Sequence, residues 1–148
     1  MHKGAICRIR ELTLSLVSVM VIASCTAEDK VGGRWYSQAQ VDAGGKVFAE
    51  NCASCHGKSA QGRVVNWKKP DADGNYPPPP LNGSAHAWHH PLSQLKRTIR
   101  QGGVPLGGQM PGFGDRLSEK EIESVLAWVQ SHWPDEVYAA WVQRGGLR

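Results

Sequence analysis

Apolar positions in the second third of the chain follow a helical rather than an alternating period. Val41, Gly44, Val47 and Phe48 recur at spacings of three and four residues, which predicts an amphipathic helix leading into Cys52. Pro91 to Gln101 predicts a shorter helix, with Leu92, Leu95 and Ile99 on one side and Lys96, Arg97 and Arg100 largely on the other, stopped by Gly102-Gly103. Ser118 to Trp133 is the best-specified segment. Ser118 and Glu121 form a capping box, Leu117 and Ile122 fit a hydrophobic staple, and Ile122, Val125, Leu126 and Val129 make one stripe before Pro134 ends the helix. Asp135 to Arg144 predicts one more short helix with Val137 and Trp141 on a face, closed by Gly145-Gly146.

The segments between these helices read differently. Tyr76-Pro77-Pro78-Pro79-Pro80-Leu81 must be extended, since proline fixes φ and cannot donate to a ladder. Val104 to Gly114 holds four glycines and two prolines and reads as a loop around Gln109-Met110-Pro111. Gly44 and Gly45 are awkward in the first helix, where each costs ~1 kcal/mol relative to Ala; a second helix crossing closely there explains them, and Trp128 flanks the stripe where an aromatic would meet them.

Ahead of Val41 the pattern is that of an export signal. Lys3, Arg8 and Arg10 precede the apolar run Leu12 to Ala23, which is shorter than the ~20 residues a bilayer span needs, so residues 1–24 read as a signal peptide. Ile22-Ala23-Ser24-Cys25 resembles a bacterial lipobox, making Cys25 the expected lipidated N-terminus; ordinary cleavage nearby and an uncleaved helical anchor are the alternatives. Thr26 to Gln40 lacks periodicity and suits a tether, although Trp35-Tyr36 is equally suited to packing on the domain. The expected organisation is therefore signal 1–24, lipidated tether 25–40, domain 41–134 and C-terminal extension 135–148. The exported product would sit on the periplasmic side, anchored to the membrane by lipid.

Length and charge narrow the function. At 148 residues the chain is one domain's worth. Its formal charge of +4 falls to +2 on maturation, because the signal carries Lys3, Arg8 and Arg10 against Glu11, and this modest excess gives no case for nucleic-acid binding. Of the four cysteines, Cys7 leaves with the signal and Cys25 would be acylated, so Cys52 and Cys55 remain and no structural disulfide is expected.

Those two cysteines lie in Cys52-Ala53-Ser54-Cys55-His56, the C-x-x-C-H attachment signature of a c-type haem. Two thiols on one helical turn can add to the two vinyl groups of one porphyrin, and the adjacent imidazole then reaches iron from the same side. A zinc knuckle would need a second ligand pair, and a thioredoxin-like dithiol would need a βαβ frame; neither context is present in the sequence. Met1 and Met20 leave with the signal, so Met110, presented in a loop, is the one thioether of the mature chain and the candidate second axial ligand, against the usual role of Met as a core filler. A bare carbonyl of the proline segment is placed to accept the Nδ1 hydrogen of His56.

Three other features bear on function. Asp71-Ala72-Asp73-Gly74-Asn75 fails the EF-hand spacing and reads as a solvated turn. His86, His89 and His90 would form an i, i+3, i+4 metal face for copper or zinc if helical, but Pro91 biases His90 towards extended geometry, so a solvated cluster is the simpler reading. Lys96, Arg97 and Arg100, with Lys68 and Lys69, form a cationic surface that would steer an acidic partner, or else a solvated helix face.

Taken together, Val41 to Pro134 resembles a class I cytochrome c, the small single-haem kind with His and Met ligands. Gly44, Phe48 and Cys52 reproduce the family's N-terminal helix, Pro79-Pro80-Leu81 its Pro-x-Leu element, Met110-Pro111-Gly112-Phe113 its distal motif, and Trp128 its C-terminal aromatic. The resemblance implies an all-α fold of three to five helices wrapped around one covalently attached haem c. It also implies that the carbonyl meeting His56 belongs to Pro79. The function implied is one-electron transfer between redox partner proteins, with no catalysis and no small-molecule substrate at the iron. The alternatives are a peroxidase-like haem enzyme domain, needing an open sixth position, and a docked electron-entry subunit of a larger oxidase or dehydrogenase. The insert Arg63 to Pro78, the run Ala85 to His90 and the tail from Asp135 to Arg148 depart from the minimal family pattern.

Overall fold

The computed structural model describes residues 30–148; the signal and Cys25 lie outside the described residues. Among the described residues five α-helices follow one another: α1 (Gln38–Asn51), α2 (Ala53–His56), α3 (Leu92–Gln101), α4 (Glu119–Ser131) and α5 (Asp135–Gln143). Among the described residues there is no strand, only one antiparallel bridge between Lys30 and Ser37. The fold is all-α, and α1 against α4 is its principal helix pair.

Helix α1 starts three residues before its apolar period does. Ser37 caps it, with its side chain accepting from Gln40 N while the Gln40 side chain accepts from Ser37 N. That Ser-x-x-Gln capping box was legible in the sequence and marks the true start. α4 is capped in the same manner by Ser118 and Glu121, and Leu117 and Ile122 pack in one cluster beside it. The glycines of α1 do admit a close crossing. A Cβ on Gly44 would lie 1.8 Å from the carbonyl oxygen of Ser124, and one on Gly45 would lie 3.0 Å from the Trp128 ring.

Two boundaries differ from the sequence expectation. The tether was expected to run through Gln40, yet Tyr36 is fully buried and Arg34 is buried as well, so residues from Lys30 onward form a strap on the domain. The Arg34 guanidinium donates to the Tyr36 hydroxyl at 3.1 Å, to the carbonyls of Gln130 at 2.7 Å and Trp133 at 3.1 Å, and to Asp135 at 2.6 Å. At the other end, α5 inserts Trp141 and Tyr138 into the core with Tyr36, Phe48, Val125 and Trp133, so residues 135–148 are part of the domain rather than an appendage. Phe113, Leu117, Ile122 and Leu126 form a second cluster. The apolar face of α3, Leu92, Leu95 and Ile99, packs against both clusters and joins them.

Candidate functional site

The site is built outward from the end of α1. Cys52 closes α1, its N–H donating to Phe48 O at 2.9 Å, and its own carbonyl accepts from Cys55 N and His56 N at 3.1 and 2.9 Å. One residue therefore ends one helix and begins the single turn of α2 that carries Cys55 and His56. Cys52 is half-buried and Cys55 exposed, both as free thiols. Burial, reinforced by the neighbouring Cys55, pushes the Cys52 thiol up to about 11, so it is protonated at neutral pH.

His56 is buried, and its Nδ1 lies 2.9 Å from the carbonyl oxygen of Pro79. A carbonyl only accepts, so Nδ1 carries the hydrogen and Nε2 keeps its lone pair. Burial lowers the imidazole pKa below its ordinary value, an effect the Pro79 carbonyl partly opposes, and the neutral form prevails. The proline run cannot anchor itself by donating. Its position is set by Leu81, whose N–H donates to Ala60 O at 2.7 Å and whose carbonyl accepts from Trp133 Nε1 at 2.8 Å. Ala60 adopts φ +57°, a left-handed conformation unfavourable for a residue with a Cβ, and its carbonyl accepts from both Leu81 and Asn82. The loop after His56 returns to α2 through Gly62 N donating to His56 O at 2.7 Å and Arg63 donating to Ser54 O at 3.0 Å.

Met110 is half-buried against the cluster of Phe113, Leu117, Ile122 and Leu126. Its loop is fastened to the C-terminal end of α3. Gly103 N donates to Met110 O at 2.9 Å, Phe113 N to Ile99 O at 2.9 Å and Gly114 N to Arg100 O at 3.1 Å. Gly102, at φ +77°, lets the Met110 loop pass close to the end of α3, since a Cβ there would lie 2.5 Å from Met110 O. Cys52, Leu81 and Met110 thus line clusters that share the apolar face of α3.

Other sequence expectations fare differently. His86 and His90 approach with ring centroids 5.9 Å apart and Trp67 lies 5.4 Å from His86, while His89 packs edge-on to Trp88. No group of three or more His, Cys, Asp or Glu side chains suited to a metal ion forms among the described residues, so the copper or zinc face is not assembled. The cationic face of α3 is also largely consumed within the fold. Lys96 pairs with Glu123 and Arg100 with Glu119, both on α4, leaving Arg97 without an ion pair among the described residues. Sequence reasoning missed Arg34 and the tryptophan N–H groups of Trp133 and Trp141 that fix main-chain carbonyls around the site.

The donor set fits a c-type haem. Two free thiols flank one helical turn, a buried neutral imidazole is oriented by a carbonyl on Nδ1 with Nε2 left as the donor, and a thioether stands on a pinned loop. No helix among the described residues is long and apolar enough to cross a membrane.

Comparison with known proteins points the same way. Residues 39–129 match the family described as cytochrome c oxidase, cbb3-type, subunit III. The chain is 30% identical over 116 residues to the cbb3-type cytochrome c oxidase subunit FixP of Sinorhizobium medicae, covering 74% of this chain and 36% of that protein. It is 32% identical over 109 residues to subunit CcoP of Rhodobacter capsulatus, covering 69% of this chain and 32% of that protein. A FixP of Azorhizobium caulinodans is 33% identical over 88 residues, 60% of this chain and 26% of the relative. The chain spans about a third of the length of these curated relatives. With 91 of its residues covered by the family model and the haem signature at the start of α2, the chain belongs to the cbb3-type cytochrome c oxidase subunit III family and is a c-type cytochrome.

Proposed function

We propose that this domain carries one electron at a time between redox partner proteins, holding a single haem c through Cys52 and Cys55 with His56 and Met110 as axial ligands. The observation that carries the reading is the His56 Nδ1 to Pro79 carbonyl contact of 2.9 Å, which fixes the imidazole and makes its free nitrogen a stronger donor. The haem supplies the one-electron couple. Met110 would hold the iron through a soft thioether that favours the reduced state, and a site closed in this way would leave a peroxidase-like reading without an open position. Leu92, Leu95 and Ile99 pack against both clusters that Cys52 and Met110 join, an apolar setting that would limit the solvent rearrangement accompanying a change of charge.

The test is spectroscopic. Met110→Ala is expected to abolish the far-red band of thioether-to-iron ligation and to admit cyanide. It should also lower the midpoint potential by at least ~0.1 V, a modest part of the ~0.8 V that axial ligands span. Retention of the band with cyanide still excluded at the parent's rate would remove Met110 from the ligand set, and a resting high-spin ferric haem that turns over peroxide would favour an enzyme.

A second reading, as an electron-entry component docked in a larger oxidase, is favoured by the relatives' names, cbb3-type cytochrome c oxidase subunits. In either setting the domain works on the periplasmic side and is held at the membrane by a lipid on Cys25. This rests on Ile22-Ala23-Ser24-Cys25 following the apolar run. Intact-mass measurement on protein extracted from membranes should give a chain beginning at Cys25 with added acyl mass; cleavage elsewhere with an unmodified Cys25 would exclude the anchor.

A further inference from the structure

The first turn of α3 lacks the cap its neighbours have. α1 and α4 are each closed by a serine side chain, whereas the residue preceding α3 is Pro91, which has no polar side-chain atom. Its amides are satisfied from elsewhere. Leu92 N donates to Gly146 O at 2.6 Å and Ser93 N to Arg148 O at 3.1 Å, so the segment after α5 supplies main-chain acceptors to two of the three N–H groups open at this helix start, Pro91 having none. That segment is itself held in place. Gly146 N donates to Trp141 O at 2.9 Å, the buried Trp141 donates its Nε1 hydrogen to His90 O at 2.8 Å, and Arg144 lies over the Trp88 ring at 4.9 Å.

The other end of α3 is the anchor of the Met110 loop, through Ile99 O, Arg100 O and the Gly103 to Met110 hydrogen bond. At ten residues α3 is shorter than the ~12–15 at which isolated helices become even marginal, so its persistence depends on its ends and its packing. The family match covers residues 39–129 and so does not include this capping segment.

From this we infer that residues 145–148 are a positioning element for Met110: by capping α3 in trans along the chain, they hold the helix from which the Met110 loop is hung. Release of the segment leaves Leu92 and Ser93 N–H groups unpaired, frays the first turn of α3 and lets Met110 leave its place more often. Met110 itself is unchanged. The inference rests on Met110 being an axial ligand, and the experiment separates the two.

Three haem-loaded proteins are compared: the full chain, a chain ended after Arg144, and that shortened chain carrying Pro91→Asp, which restores an acceptor at the cap position. In the full chain, Leu92 and Ser93 amides should exchange with solvent at least ~10-fold more slowly than in an unstructured peptide. Ending the chain after Arg144 should remove that protection, weaken the far-red thioether band and speed cyanide association at least ~3-fold, a change attributable to more frequent opening of the loop. Pro91→Asp should return both band and rate towards those of the full chain. Free exchange of Leu92 and Ser93 in the full chain overturns the inference even if the shortened chain fails to fold. So does a shortened chain with the full chain's band and cyanide rate, or one whose altered band Pro91→Asp does not move. If the full chain itself has no far-red band, the ligand assignment fails instead, and the amide exchange still decides whether the segment caps α3.

Discussion

Gly44→Ala is expected to cost the domain at least ~3 kcal/mol, at or above the top of the ~1–3 kcal/mol range for overpacking, while Gly45→Ala changes stability by less than ~1 kcal/mol. The neighbouring glycines differ in what they face. A methyl on Gly44 would sit 1.8 Å from Ser124 O and 2.4 Å from Ser124 C, which are main-chain atoms in the middle of α4 and cannot swing aside. The only relief is to part α1 from α4, and that opens the core around Phe48 and Val125. At Gly45 the nearest atoms are at 3.0 Å on the Trp128 ring, a side chain that can shift, and removal of a helical glycine returns ~1 kcal/mol. Because small domains have only ~5–15 kcal/mol in total, Gly44→Ala should also lower the yield of haem-loaded protein. Urea unfolding of both variants checks this. Equal midpoints for Gly44→Ala and the parent would mean that the helices do not cross as closely as described.

Arg34→Ala is expected to destabilise the domain by about 3 kcal/mol, from hydrogen bonds to a charged group worth ~1.5–3 kcal/mol and main-chain acceptors left bare. The side chain joins the strap to the end of α4 and the start of α5. Its partners Gln130 O and Trp133 O lie where a helix presents carbonyls, a setting that favours a cation, and the guanidinium also rests 4.4 Å over the Tyr138 ring. Asp135 is the lesser partner, being 97% exposed, so its ion pair is screened by water and Asp135→Asn should cost under ~1 kcal/mol. Arg34→Lys should recover only part of the loss, since a single ammonium cannot span four acceptors. Equilibrium denaturation of the three variants would rank Arg34→Ala lowest, Arg34→Lys between, and Asp135→Asn near the parent. If Asp135→Asn matched Arg34→Ala, the ion pair rather than the carbonyls would be the source of stability.

Much of this molecule could be read before its structure. The capping box of α4, its apolar stripe, the two glycines awaiting a crossing aromatic, and the extended prolines beside His56 all arise from local rules acting within a few residues. The parts that escaped reading have no period. Each residue of the strap does a different job, with Arg34 serving carbonyls, Trp35 donating to Gln130 Oε1 and Tyr36 filling the core. A main-chain acceptor offered to a distant tryptophan or helix start leaves no mark on composition. The cations of α3 illustrate a further limit. Their charge was evident, but pairing with Glu119 and Glu123 depends on the register of α3 against α4, which the pattern within α3 does not contain.

The strap has a consequence for the order in which the molecule is made. Arg34 and its three distant acceptors are separated by 96 to 101 positions along the chain, so this side chain cannot fasten the strap until the end of α4 and the start of α5 have been synthesised. Contacts this remote form late, after the loop they close has been confined by other means. Until then Cys52, Cys55 and His56 belong to an unclosed chain whose proline segment still lacks Trp133 to hold Leu81. Until the last fifteen or so residues emerge, the half-buried Cys52 and the buried His56 are therefore more open to solvent than in the finished domain, and the C-terminal helix completes their enclosure.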